Sequence, residues 1–315
     1  MRKFKVLIMS VSGIWNTVMQ SPMINSVLAD SRYEVDILFG NKAMAWVYSD
    51  ASLINKKIVL SDFIWFFGKL KLMCFLFSQR YDYSIASFPA HRIEFNILPF
   101  LLWIRNRCTH TFNWWSLQKM NFLSNYKILA DPKIHDIEQN LNLLKFLDIK
   151  IPKQYSPSFH YNEQDICYAE EFISRNNVKK GKIIGIHSGS GGLEFKRWGD
   201  DKYIALAKIL REKWYHIIAF GSGEELSAFD KNQDILLFIW TINQTAAMIS
   251  FCDFFISWDT GLMHIAASIG IQQIVIWKWT NFNRTRPRNN NLVINLHFPF
   301  QKFTYNYPFK KNLWK

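Results

Sequence analysis

In KIIGIHSGSGG, residues 182–192, an apolar run that predicts a buried strand (182–187) is joined directly to a glycine-rich loop (188–192). A helical pattern follows in DDKYIALAKILREKW (200–214), and the next apolar run, HIIAFGSGEE (216–225), again ends at glycines. Strand, loop and helix repeated in this order predict βαβ units, and therefore a parallel sheet with helices on its faces.

The alternation continues towards the C-terminus. Strands are expected at 234–240, 253–259 and 272–277, and helices at 243–252 and 260–270. Asn243 is a suitable N-cap for the first of these helices, and Gly270 is a suitable stop for the second. The second half is therefore predicted to be a doubly wound α/β domain, in which ligands bind at the carboxyl ends of the strands.

The first half shows a weaker form of the same pattern. KVLIM (5–9) precedes a Ser/Gly loop, a helix is expected at 17–29, and EVDILFG (34–40) and YDYSIAS (81–87) read as further strands. This order again indicates a parallel sheet.

Two prolines in IPKQYSP (151–157) interrupt any helix and mark a domain boundary. We therefore expect an N-terminal domain at 1–155 and a C-terminal domain at 156–290. The segment 291–315 is expected to return to the N-terminal domain.

The formal net charge is +13, and it is concentrated at the two ends of the chain. Residues 260–315 contain eight Lys and Arg and no acidic residue, whereas the middle of the chain is slightly acidic. A basic surface attracts phosphate groups, although a general solubility charge would look the same. No nucleic-acid-binding motif accompanies the charge, so nucleic acid is not an expected partner. The four cysteines are widely spaced, which suggests neither a zinc site nor a disulfide framework.

The longest apolar stretch, 63–77, contains a glycine and two lysines and is shorter than the ~18–20 residues that span a bilayer. Two interpretations stay open: a core helix, or a helix that lies against a membrane surface. In the second interpretation a basic patch would flank the aromatic residues. It would comprise Lys56, Lys57, Lys69 and Lys71.

Three loops of the second half, 188–198, 221–225 and 259–264, follow strands and should meet at one edge of the sheet. Their residue types suit a nucleotide diphosphate: open backbone N–H groups, hydroxyls, cations, a carboxylate for the ribose and a helix N-terminus. Taken singly, each feature is more often a turn, a solvated charge, a helix cap or a core histidine. The candidate donor-binding residues are Ser188, Gly189, Ser190, Lys196, Arg197, Glu224 or its neighbour Glu225, Asp259, Thr260, Gly261 and His264.

Three motifs in this order resemble glycosyltransferase family 9, the heptosyltransferase family of lipopolysaccharide synthesis. They are the loop His187-Ser188-Gly189-Ser190, the segment Lys196-Arg197-Trp198, and the helix start Asp259-Thr260-Gly261-Leu262-Met263-His264. The resemblance covers most of the chain, with weaker matches near the N-terminus.

The resemblance implies a GT-B architecture, in which two Rossmann-like, doubly wound domains face a central cleft. The C-terminal domain would hold a nucleotide-sugar, with Lys196 on its phosphates, and the N-terminal domain would hold the acceptor. Transfer would invert the anomeric centre without a metal or other cofactor. The resemblance suggests heptose from ADP-heptose as the sugar, and an anionic glycan or glycolipid as the acceptor. The protein would then work in the cytoplasm, peripherally on the inner face of the bacterial cytoplasmic membrane.

One position departs from the family. Members carry an Asp in the first loop that is taken as the general base, and the matching residue here is Asn16, which cannot act as a base. Three interpretations follow: His91 replaces the Asp; Asn16 orients the acceptor while phosphate or water takes the proton; or the protein binds without catalysing. The expected catalytic residues are thus Asn16, His91 and Lys196. The expected acceptor-binding residues are Gly13, Trp15 and Asn16.

Overall fold

The computed structural model describes residues 2–49, 51–112, 119–189, 198–277, 281–288 and 293–297. Within these residues the chain forms two parallel sheets of six strands each, with helices on their faces. The predicted fold class, two doubly wound α/β domains, is confirmed.

The first sheet has the strand order β3-β2-β1-β4-β5-β6. Its strands are β1 (Phe4–Ser10), β2 (Tyr33–Phe39), β3 (Lys56–Val59), β4 (Tyr83–Ala86), β5 (Asn106–Thr111) and β6 (Tyr126–Leu129). The helices of this half are α1 (Ile14–Leu28), α2 (Lys42–Trp46), α3 (Trp65–Gln79), α4 (Glu94–Leu101) and α5 (Asp136–Leu141). Since the order reverses between β1 and β4, the loops after these two strands border the crevice where such sheets bind ligands.

The second sheet has the order β12-β11-β10-β7-β8-β9, which is the same topology. Its strands are β7 (Ile183–Ile186), β8 (His216–Phe220), β9 (Ile235–Phe238), β10 (Phe254–Trp258), β11 (Gln272–Trp277) and β12 (Val293–His297). Its helices are α6 (Glu163–Arg175), α7 (Asp200–Glu212), α8 (Gly223–Leu226), α9 (Ile242–Ser250), α10 (Gly261–Ile269) and α11 (Phe282–Thr285). The reversal, and so the crevice, lies between β7 and β10.

The central strands of both sheets are buried on both faces. In β1 every residue from Val6 to Ser10 is buried, and β7 is buried along its whole length. This is why these strands read as continuous apolar runs rather than as alternating patterns.

The C-terminal part of the chain was expected to return to the first domain. Residues 293–297 instead form β12, which pairs in parallel with β11 at the edge of the second sheet. Residues 298–315 lie outside the described residues, so their return stays a prediction. The boundary expected at 155/156 falls in the connection between the last turn of the first half, which ends at Leu147, and the start of α6.

The two domains meet through α1 of the first and α10 of the second, which pack against each other. A second contact is made by Asn243, whose side-chain amide donates to the carbonyls of Trp46 (3.1 Å) and His160 (2.8 Å). The N-cap prediction for Asn243 is therefore wrong. Thr241 caps α9 in a capping box with Gln244, which frees the Asn243 amide to bridge the domains.

Candidate functional site

The loop after β7 is held in place by two neighbouring strands. His187 Nδ1 donates to the carbonyl of Phe220 at the end of β8 (2.8 Å), and Trp258 Nε1 at the end of β10 donates to the carbonyl of Gly189 (2.6 Å). The Ser188 hydroxyl is buried, and among the described residues it has no hydrogen-bond partner. The start of the loop, up to Gly189, is thus anchored and carries a buried polar group that could bind a ligand.

Gly189 lies against a carboxylate. A β-carbon at this position would be 2.2 Å from Glu225 Oε1 and 2.7 Å from His187 Cε1, so a larger residue would require these side chains or the loop to move. The other oxygen, Glu225 Oε2, accepts from the backbone N–H (2.9 Å) and the hydroxyl (3.1 Å) of Ser222. Glu225 therefore borders the glycine loop, whereas Glu224 is exposed to solvent.

The third motif, at residues 259–264, places a helix N-terminus beside this loop, because β10 pairs directly with β7. Thr260 is the N-cap of α10, yet its side chain makes no capping hydrogen bond. Its Oγ1 atom is buried and, like that of Ser188, has no partner within the described ranges. Gly261 follows without a side chain. A helix N-terminus with these unpartnered hydroxyls is a candidate anion site.

His264 lies one turn into α10 and is 4 % exposed. Burial, with a smaller effect from neighbouring His135, lowers the pKa of His264 to about 3. At neutral pH the ring is therefore uncharged and can offer a hydrogen bond but no positive charge to a ligand. The cations expected to supply that charge, Lys196 and Arg197, lie outside the described residues, as does Ser190.

The loop after β1 carries the expected acceptor-binding residues. Gly13 has φ of 112°, a backbone conformation that favours glycine, and it leads into α1. Asn16 is buried, and its amide donates to the carbonyl of Ser12 (2.7 Å). Trp15 is half exposed and reaches the second domain: a β-carbon at Gly261 would lie 3.6 Å from Trp15 Cε3. The expected acceptor and donor loops are thus brought together.

His91 follows β4, next to the loop of Asn16. Ser12 Oγ donates to the carbonyl of Pro89 (3.1 Å), and Gln20 Nε2 donates to that of Phe88 (2.9 Å), which ties the two loops together. The His91 ring lies 4.9 Å from the ring of Phe112. Burial by its surroundings, and the charges of Arg284 and Lys119, lower the pKa of His91 below 6.5. At neutral pH His91 is a neutral imidazole, which can accept a proton.

Arg284 and Asp136 were missed by the sequence analysis. Arg284 of α11 donates to both carboxylate oxygens of Asp136 (2.9 and 3.3 Å), and its guanidinium stacks over Phe88 at 5.5 Å from the ring centroid. Burial raises the pKa of Asp136, Arg284 opposes this shift, and the charge of Asp259 adds to it. Asp259 of the third motif is therefore near enough to Asp136 for its charge to act on that carboxylate. The signal available in the sequence was the basic run Arg284, Arg286 and Arg288.

His135, the N-cap of α5, is also part of this contact between domains. Its Nδ1 accepts from the backbone N–H of Ile137 (3.1 Å), and its Nε2 donates to the carbonyl of Arg286 (2.7 Å). Burial lowers the pKa of His135 to about 4, so the ring stays neutral. A second ion pair, Arg288 to Glu138 at 2.8 Å, extends the contact.

Comparison with known proteins gives a family match. The model of glycosyltransferase family 9 (heptosyltransferase) matches residues 99–311. The lipooligosaccharide heptosyltransferase 2 of Campylobacter jejuni subsp. jejuni serotype O:2 is 24% identical over 299 residues, which cover 91% of this chain and 84% of the relative. The protein of the same description from serotype O:6 is 30% identical over 160 residues, covering 47% and 50% of the two chains.

Solved structures share the fold. The glycosyl transferase family 9 protein from Veillonella parvula superimposes with a TM-score of 0.78 at 16% identity, covering 94% of this chain and 86% of that one. The ADP-heptose lps heptosyltransferase II of E. coli superimposes with a TM-score of 0.72 at 19% identity, covering 92% and 90%. The expected arrangement of two Rossmann-like domains facing a cleft is confirmed.

Proposed function

Because the chain belongs to glycosyltransferase family 9, the heptosyltransferase family, we propose that it transfers heptose from ADP-heptose to a glycan of lipopolysaccharide type. The named relatives support this choice, since they are lipooligosaccharide heptosyltransferases. The single observation that carries the proposal is the anion site formed by the start of α10 and by the unpartnered hydroxyls of Ser188 and Thr260.

The diphosphate of the donor would bind at this anion site. First-turn N–H groups and hydroxyls donate to phosphate oxygens, and the helix dipole favours their negative charge. Lys196 is expected to complete the site. Glu225, which lies against Gly189, is better placed than Glu224 to accept hydrogen bonds from the ribose. We propose that these groups stabilise the leaving diphosphate, so that transfer needs no metal ion.

The acceptor would enter from the side of the first domain. Arg284 and Lys119 act on His91 through their charges, and Arg92 is exposed one residue further along the loop. These cations suit the phosphates of an anionic glycan. A lipid-linked acceptor requires the enzyme to meet a membrane, and we expect this to be the inner face of the bacterial cytoplasmic membrane. In the described part of the chain, every helix is too short or too polar to cross a bilayer.

For the chemistry, we propose an inverting displacement with His91 as the base. The acceptor oxygen attacks the anomeric carbon opposite the diphosphate, the new C–O bond forms as the bond to the diphosphate oxygen breaks, and the base takes the hydroxyl proton. His91 is neutral at pH 7 and belongs to a loop bonded to that of Asn16. The side-chain N–H of Asn16 already donates to the carbonyl of Ser12, and an amide cannot act as a base. Its proposed role is therefore to orient the acceptor.

Titration calorimetry with ADP, UDP, GDP and CMP tests the donor site. We expect ADP to bind most tightly, and Thr260→Val to weaken it about tenfold or more, the usual effect of losing a hydrogen bond to a charged group. Ser257→Ala is the matched control, because the Ser257 hydroxyl is also buried without a partner in the described chain but lies inside β10. Failure of all four nucleotides to bind would refute the donor site.

A second candidate function is a binding protein that keeps the donor site but no longer catalyses. The observation in its favour is Asn16 at the position of the family's base. Tight ADP binding without transfer by the unaltered protein, together with transfer by Asn16→Asp, would establish it.

A further inference from the structure

Helix α3 has an unusual burial pattern. Its sequence WFFGKLKLMCFLFSQ is mostly apolar, yet only Leu72 and Leu76 are buried. The large side chains on its other faces are exposed to solvent. They are Trp65, Phe66, Phe67, Leu70 and Phe77. Exposed apolar side chains continue on and after α4, at Phe100, Leu101 and Trp103. An apolar surface of this extent marks an interaction site.

A cavity of about 400 Å³ lies beneath this surface, between α3 and α4. Its walls include Leu72 and Met73 from α3, and Ile97 and Leu98 from α4. The volume lies within the range of small-molecule sites, roughly 300–1,000 Å³. An apolar cavity that opens beside an exposed apolar face is suited to a hydrocarbon chain.

Charged groups also line the cavity. Lys69 has no ion-pair or hydrogen-bond partner among the described residues, whereas Arg92 is paired with Glu94 (3.1 Å). Helix α3 carries no acidic residue, and Lys71 is exposed on it. Cations beside an apolar cavity complement a lipid, which has an anionic head and an apolar tail.

Two lysines of the basic patch expected from the sequence have other contacts. Lys57 donates to the carbonyls of Tyr48 and Ser49, and Lys56 donates to Gln79 (2.9 Å). The cations of α3 without such a contact in the described residues are Lys69 and Lys71.

We propose that the face formed by α3 and α4 binds the surface of a bilayer that contains anionic phospholipid, and that the cavity holds one acyl chain of such a lipid. The lipid phosphate lies at Lys69, which lines the cavity and is exposed. Helix α3 has 15 residues, or about 22 Å of helix. It therefore lies in the membrane interface, because spanning takes about 30 Å. This site is distinct from the donor site, and its occupation does not require transfer.

Vesicle flotation without donor or acceptor tests the surface, so its failure is distinguishable from a failure of the transferase. We expect binding to vesicles of phosphatidylcholine mixed with phosphatidylglycerol, and little binding to phosphatidylcholine alone. Trp65→Ser should weaken binding about tenfold, and Lys69→Gln about fivefold. Trp214→Ser is a matched control, because Trp214 (79% exposed, φ 67°) resembles Trp65 (81%, φ 65°) but lies on the second domain.

Photocross-linking tests the cavity. Phosphatidylglycerol with a diazirine on its acyl chain should label peptides containing Met73 or Leu98. Ile97→Trp, which fills the cavity from a half-buried position, should abolish that label while the protein still floats with the vesicles. Thermal unfolding of each variant checks that it is folded.

The proposal is overturned if the protein does not float with the vesicles, or if Trp65→Ser and Trp214→Ser weaken vesicle binding equally. So would labelling confined to the exposed side chains of α3. Sedimentation velocity tests whether a second copy of the chain occupies this face instead. A dimer that dissociates in Trp65→Ser would show that it does.

Discussion

Arg284 and Asp136 form a bidentate ion pair between the two halves of the molecule, with N–O distances of 2.9 and 3.3 Å. Asp136 is buried, and Arg284 is partly exposed. The charge of Arg284 acts on His91 of the first domain, and that of Asp259 of the second domain acts on Asp136. The pair therefore joins the two domains near the candidate site.

Removing the arginine should destabilise the protein. Arg284→Ala leaves a buried carboxylate without its partner, and we expect a loss of about 1–3 kcal/mol in the free energy of unfolding at pH 7. Burial raises the pKa of Asp136, so in the variant the group is more easily protonated, and the loss should shrink as the pH falls towards 4. Urea unfolding at the two pH values measures this. Arg211→Ala is the control, because its pair with Asp234 is exposed and should contribute under about 1 kcal/mol.

The buried His264 predicts acid sensitivity. Its pKa in the folded protein is about 3, against 6.5 for a free side chain, so below pH 6.5 the unfolded chain binds a proton that the folded chain does not. Stability should therefore be complete above pH 6.5 and fall as the pH decreases from there. His264→Gln should reduce the slope of unfolding free energy against pH by up to about 1.4 kcal/mol per pH unit. An unchanged slope between pH 6 and 4 would contradict the burial of this ring.

His91 should control the rate of transfer. His91 can act as the base only when it is unprotonated. Because its pKa lies below 6.5, kcat/KM should be constant above pH 6.5 and fall as the pH decreases through that pKa. His91→Asn should lower kcat about 100-fold or more while the Kd for ADP stays the same. Steady-state kinetics and calorimetry separate the two effects. A normal kcat in His91→Asn would show that His91 is not the base.

A side chain at position 189 should weaken donor binding. In Gly189→Ala the new β-carbon would overlap the carboxylate of Glu225, so the loop or the carboxylate must move. We expect ADP binding to weaken about tenfold in Gly189→Ala. The double variant Gly189→Ala/Glu225→Ala should bind no better, because the new β-carbon still meets His187 Cε1 and the ribose contact is lost. Gly223→Ala is the control, because a β-carbon there meets no atom within 4 Å. If Gly189→Ala and Gly223→Ala bind ADP with equal affinity, this loop does not form the donor site.

The local parts of the site could be predicted from the sequence because short-range chemistry determines them. The glycine loop at 188–192 and the start of α10 each follow a buried apolar strand, and parallel topology brings strand ends together. Glu225 was recognisable as well: Ser222 and Glu225 have the spacing of a capping box, which turns that carboxylate back towards the loop.

The long-range parts were not predictable. Asp136 and Arg284 are 148 positions apart, and neither has a local pattern that names its partner. The stretch 63–77 was open to two interpretations because periodicity cannot tell a buried apolar helix from an exposed one. Burial shows that most of α3 faces solvent rather than the core.

The contact between α5 and α11 also bears on protein engineering. The arginines at positions 284 and 288 follow strand β11 of the second domain, yet their carboxylate partners, Asp136 and Glu138, belong to the first. A chimera that exchanges whole C-terminal domains between family members would separate these partners. Hybrid enzymes with new donor preferences should therefore inherit α5 and residues 281–288 from the same parent, even though the rest of the junction can be placed near residue 155.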